Sequence, residues 1–121
     1  MMATDVTKKK PFWSLEGSID LADIVIRELD PDFSRSKIVV LLTDDTPKGT
    51  VLEETGGTWA IASAYTGRLG ILTDDAVGRE DAQEVGVVDA DAILAAAMLG
   101  IPDEKLEAAT SAFAAQRVKL I

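Results

Sequence analysis

Two consecutive glycines, Gly56 and Gly57, separate two runs of strand character, Gly49–Thr55 and Thr58–Ala62. A glycine pair in that setting is the signal for a two-residue primed turn, whose central residues both need positive φ. The chain must therefore double back here as a β-hairpin. The register that follows sets Glu54 opposite Trp59 and Leu52 opposite Ile61, and the two-residue period of a strand puts all four on one face. The wider stretch Thr46–Asp75 keeps the same character. Val51, Leu52, Trp59, Ile61, Leu69, Ile71 and Leu72 supply its apolar residues, and Gly49, Gly56, Gly57, Gly67 and Gly70 its bends. Arg68–Thr73 reads as a further strand, closed by Asp74-Asp75. The stretch predicts a small β-rich scaffold.

Outside it the pattern is more varied. Lys37–Leu42 is a continuous apolar run of strand length and predicts a strand buried on both faces, followed by a polar turn over 43–47. Residues 17–35 support two readings. Ser18 caps a short helix with Leu21, Ile24, Val25 and Leu29 on one face, or Asp23–Arg27 forms a β-branched strand; the helix or turn is the preferred one. Ala76–Gln83 reads as a polar loop and Glu84–Val88 as a strand. Asp89 then caps a helix whose face holds Ala90, Ile93, Leu94, Ala97 and Met98. Gly100 ends that helix and Pro102 opens a second, with Leu106, Ala109 and Phe113 as its buried stripe. Alternation over 116–120 predicts a final strand. The expected class is mixed α+β and β-rich: short strands with two short C-terminal helices, in one domain. The aromatic segment ahead of it, with Phe12 and Trp13, either folds back on the domain or orders on meeting a partner.

Composition narrows the chemistry. The net charge is −9, so the surface repels phosphate, and Lys8-Lys9-Lys10 is too short a basic run to reverse that. The expectation is no nucleic-acid partner. No apolar run reaches the roughly 18 residues of a membrane helix, and the first residues carry no signal-peptide core, so the expected protein is soluble, without a membrane partner and not exported. There is no cysteine and no histidine. Thiolate metal sites and the commonest general base are both missing, and Ser63, Thr66 and Ser111 have no histidine to activate them. Gly67-Arg68-Leu69-Gly70 lacks the Gly-Lys-Ser/Thr ending of a phosphate loop. The acidic pairs Asp44-Asp45, Glu53-Glu54 and Asp74-Asp75 lack calcium-loop spacing and read as solvated turn residues. The residues point to a non-enzymatic binding domain with no cofactor and no metal.

From Thr46 onward, the order of features resembles the lambda-type head decoration proteins of tailed bacteriophages. Thr46-Pro47 leads into Val51-Leu52, a turn precedes Thr58-Trp59-Ala60, and Gly70-Ile71-Leu72 forms a strand. After a loop come the strand Glu84–Val88, the segment Asp91-Ala92-Ile93-Leu94 expected to begin a helix, Pro102 before an Ala- and Thr-rich helix, and the terminal Val118-Lys119-Leu120-Ile121. The resemblance implies a compact β-clip-like domain that assembles as a homotrimer and seats on three-fold positions of the expanded head. There it would bind the major capsid protein and hold the shell against the pressure of packaged DNA. It also implies synthesis in the host cytoplasm and residence on the outer surface of the virion capsid. The residues alone equally support a non-viral acidic β-rich protein-interaction module.

The sequence departs from the family pattern before Thr46, where Ile38–Leu42 is too strand-like for a flexible arm. The division that follows is an N-terminal arm over 1–16 and a decoration domain over 17–121. Pro11, Phe12, Trp13 and Leu15 are then the candidate capsid-binding residues, adding to a capsid strand. Protein lacking residues 1–16 is expected to decorate capsids with reduced affinity in a binding titration; unchanged affinity overturns the assignment.

Overall fold

The structure, a computed structural model, describes residues 21–29 and 34–121. The glycine hairpin forms as its residues dictate. Strand β3 (Val51–Thr55) turns into β4 (Thr58–Ile61) through Gly56 at φ 61° and Gly57 at φ 87°. The pairing is Leu52 with Ile61, Glu53 with Ala60 and Glu54 with Trp59, the register predicted by the turn. On its other edge β3 pairs antiparallel with β5 (Arg68–Leu72), which continues into β6 (Gln83–Val88). β6 pairs antiparallel along the whole of β2 (Arg35–Val40), and a parallel contact of Val40 with Trp59 closes a five-stranded barrel in the order β2-β4-β3-β5-β6.

The barrel encloses Val40, Leu42, Leu52, Trp59, Leu72 and Val87. Gly70 sits beside Leu52 on the neighbouring strand, and a Cβ there would stand 3.0 Å from Val87 Cβ. Glycine is needed for space rather than for its φ.

A second layer covers one wall of the barrel. It comprises a three-stranded sheet, β1 (Val25–Glu28), β7 (Ala92–Leu94) and β8 (Val118–Leu120), with the helix α1 (Leu106–Ala115). β7 is central, antiparallel to β1 and parallel to β8. Ile24, Leu94, Leu99, Ala109, Phe113 and Val118 pack with Val51, Leu69, Ile71 and Val88 of the barrel wall. β3 and β5 thus lie between two cores: Val51 and Ile71 face the outer one, Leu52 and Leu72 the inner one. This explains why Leu69 to Leu72 are all buried despite strand alternation.

Several expectations change. The helix predicted after Asp89 does not form; Ala92–Leu94 is β7, and Ala96–Met98 is a single 3-10 turn. Helix propensity is a weak prior, and here hydrogen-bonded strands on both edges of 92–94 override it. Asp91, at φ 50°, also breaks the αR path at the point where that helix would start. The described residues therefore hold one α-helix rather than two. It is entered through the 3-10 turn Asp103–Lys105 just after Pro102. Within α1, Ala109 and Phe113 are buried as expected, whereas Leu106 is exposed.

Residues 21–28 take the strand alternative, as the 3-10 turn Leu21–Asp23 followed by β1, and Leu29 is solvent-facing. β2 is buried on one face only. Val39 is 60 % and Leu41 52 % exposed, because the second layer does not extend over this wall. The final strand begins at Val118 instead of Gln116, since Arg117 adopts φ 61°. No helix among the described residues is long and apolar enough to cross a membrane.

Phe113 is the largest fully buried side chain among the described residues and belongs to the outer core. Phe113→Ala is expected to cost about 3–5 kcal/mol, read as a lower urea midpoint with an unchanged slope.

Candidate functional site

The acidic residues were the chain's most numerous candidates for chemistry, and the fold separates their roles. Glu53 is not a solvated turn residue: it is 5 % exposed, in the middle of β3. The loop from Ala62 to Gly67 bends over it and points four backbone N–H groups at its carboxylate. Ser63 and Tyr65 donate to Oε1 at 3.2 Å, Thr66 to Oε2 at 2.9 Å and Gly67 to Oε2 at 2.7 Å. Tyr65 takes φ 61° within this loop. A Cβ on Gly67 would fall 2.2 Å from the Glu54 carbonyl oxygen, so only glycine allows the loop to approach β3 this closely. Burial pushes the Glu53 carboxyl up, but the four N–H groups outweigh it and hold the pKa below the ordinary carboxylate value. Ser63 and Thr66, considered above as nucleophiles, serve through their backbone amides.

Asp89, 2 % exposed, is a junction rather than a helix cap. Its carboxylate accepts from Arg68 Nη2 and from Ser36 Oγ at 3.1 Å, joining β5 and β2 at the end of β6. Gln116, just after α1, accepts from Leu69 N at 2.8 Å and donates to the carbonyls of Leu69 and Asp89 at 2.7 Å each. One side-chain amide thereby replaces a missing strand along β5. The remaining acidic pairs brace turns. Asp45 accepts from Gly78 N and Asp75 from Lys48 N, each at 2.8 Å, and Thr46 and Ala76 exchange two backbone bonds between them.

No group of three or more potential metal-ligating side chains comes together among the described residues. What the fold presents to a partner is surface. The outward face of β2 carries Arg35, Lys37 and Val39, Leu41 follows just after the strand, and the parallel contact with β4 sets exposed Ala60 alongside. A separate groove of about 240 Å³ crosses the outward side of the small sheet. Pro11, Phe12, Trp13 and Leu15, the predicted capsid-binding residues, lie outside the described residues, as does the arm over 1–16 to which they were assigned. Sequence reasoning missed the outward half of β2, because a continuous apolar run carries no mark of which face the fold will cover.

No protein-family model matches the chain, and no curated protein matches it.

The Glu53 geometry carries a pH dependence. The folded-state pKa is depressed, so its stabilising effect is complete above the ordinary value near 4.5 and is lost as pH falls through the lower folded value. Glu53→Gln places an amide N–H₂ among N–H donors, and is expected to lose about 2 kcal/mol at pH 7. Urea midpoints measured from pH 7 down to pH 2 should fall less steeply for this variant than for the wild type. Parallel curves would sink the assignment.

Proposed function

We propose that this chain is a capsid decoration, or cement, protein of the lambda type, with a β-clip-like fold. It binds the major capsid protein as a homotrimer at three-fold positions of the expanded head and stabilises the shell against internal DNA pressure. The observation that carries this reading is the uncovered aliphatic face of β2. Val39, on β2, and Leu41, just after it, are more than half exposed on a barrel wall that no second layer covers. These outward aliphatic side chains are what this wall offers a partner. The order of elements from Thr46 to the C-terminus supports the same reading, from the glycine hairpin through β5 and β6 to a terminal helix and strand.

The physics suits a clamp. Three copies joined in one particle bind a shell at high effective concentration, so contacts weak one at a time become hard to release together. A net charge of −9 also disfavours premature association with nucleic acid during assembly.

The test is to mix purified protein with expanded capsids of its cognate phage and image the particles. Added density at the three-fold positions is expected, and it should be lost or strongly reduced with Val39→Asp/Leu41→Asp. Capsids that stay bare with the wild-type protein overturn the proposal.

A further inference from the structure

On the small sheet, Arg27, Ile93 and Lys119 are in register across β1, β7 and β8. With strands about 4.8 Å apart, the two cations flank the isoleucine at a separation of roughly 10 Å. Ala92, Leu94 and Val118 point the other way, into the core. Exposed Leu29 and Arg117 complete the groove, and Arg117 is held by Asp91, with Nε donating to Oδ1 at 2.6 Å. Neither Arg27 nor Lys119 forms an ion pair with a described residue. A chain of net charge −9 thus carries an aliphatic floor bracketed by two cations that no described residue pairs.

A surface of complementary charge is on the same chain, on the barrel. Val77 is 70 % exposed at the loop between β5 and β6. It lines a depression together with Asp74, Asp75, Glu84 and one cation, Arg79, and Glu80 and Asp81 follow in sequence, so its surround is net negative. An exposed valine on a mobile loop would mean little, but this loop is pinned on every side. Gln83 Nε2 donates to Val77 O at 2.8 Å, Gly78 N to Asp45 Oδ1 at 2.8 Å and Arg79 N to Leu42 O at 2.8 Å. A Cβ on Gly78 would lie 2.5 Å from the Thr43 carbonyl oxygen, so the loop rests directly on backbone. Val77 is a preorganised, exposed aliphatic side chain in a net negative surround, and the groove, whose Asp91 is taken up by Arg117, is an aliphatic floor between Arg27 and Lys119.

We infer that the groove over Arg27, Ile93 and Lys119 receives the Val77 loop of a second copy of this chain. The two surfaces differ, so the contact is heterologous and propagates from copy to copy until a ring closes. Opposite charge orients the encounter, and the rigid loop limits the ordering cost of docking. The inference deepens the self-association in the proposed function and rests on that part of it, independently of the capsid.

The test uses the full chain in analytical ultracentrifugation over a range of concentration and salt. Self-association is expected, weakening as salt rises because the flanking charges are exposed. Val77→Lys, and separately Arg27→Glu/Lys119→Glu, should each raise the dissociation constant about tenfold or more. Unchanged circular dichroism and melting should confirm that these surface changes leave the fold intact. The two variants mixed should recover a 1:1 heterodimer and nothing larger, since each supplies one intact surface. A monomeric wild type, variants that associate like the wild type, or a mixture that does not pair overturns the inference. Capsid binding is scored separately, so loss of the decoration reading is distinguishable from loss of this contact.

Discussion

The wall formed by β3 and β5 is shared by two cores, and most of the molecule depends on that sharing. Alternate residues of each strand face opposite ways, so Val51 and Ile71 belong to one apolar cluster and Leu52 and Leu72 to the other. Neither cluster is large, and the chain has few aromatic side chains to enlarge either. Two thin cores on one wall bury more apolar surface than a single layer of this size could, which is how a 121-residue chain with so little aromatic volume sustains a closed barrel.

A wall buried on both faces leaves little room for loops that solvate their own backbone, and the buried polar side chains meet that need. Glu53 takes up four amides of the loop between β4 and β5. Gln116 takes up the N–H and C=O of Leu69 on the edge of β5 that β6 does not reach. Asp89 joins three barrel strands where β6 leaves for the small sheet. Each sits at a seam between the layers and satisfies donors or acceptors that would otherwise be stranded at a cost of about 1–3 kcal/mol apiece. The acidic character of the sequence is thus partly structural.

The two layers also divide the surface. The barrel wall without a second layer leaves the aliphatic face of β2 to solvent, the feature on which the decoration proposal stands. The second layer presents its own outward rung, Arg27–Ile93–Lys119, on the opposite side of the small sheet from the core. A protein with two dissimilar outward faces has one available for a shell and another for its own copies.

Local chemistry alone determined the hairpin. Gly56 and Gly57 admit the positive φ that a two-residue turn requires, and the register of β3 on β4 followed from that turn. β5 and β6 were also legible as short apolar runs bounded by turns, and the Ala109–Phe113 stripe as a helical face toward one core. Tertiary structure decided the rest. Ala92–Leu94 has the composition of a helix but lies between two strands that hydrogen-bond to it, a fact no local window contains. Glu53 reads as one more surface acid until the fold brings the amides of Ser63, Tyr65, Thr66 and Gly67 around it. The exposed half of β2 and the cationic rung of the small sheet share that origin. A strand's sequence specifies which residues face the same way, and only the packing of the layers specifies which of those faces meets water.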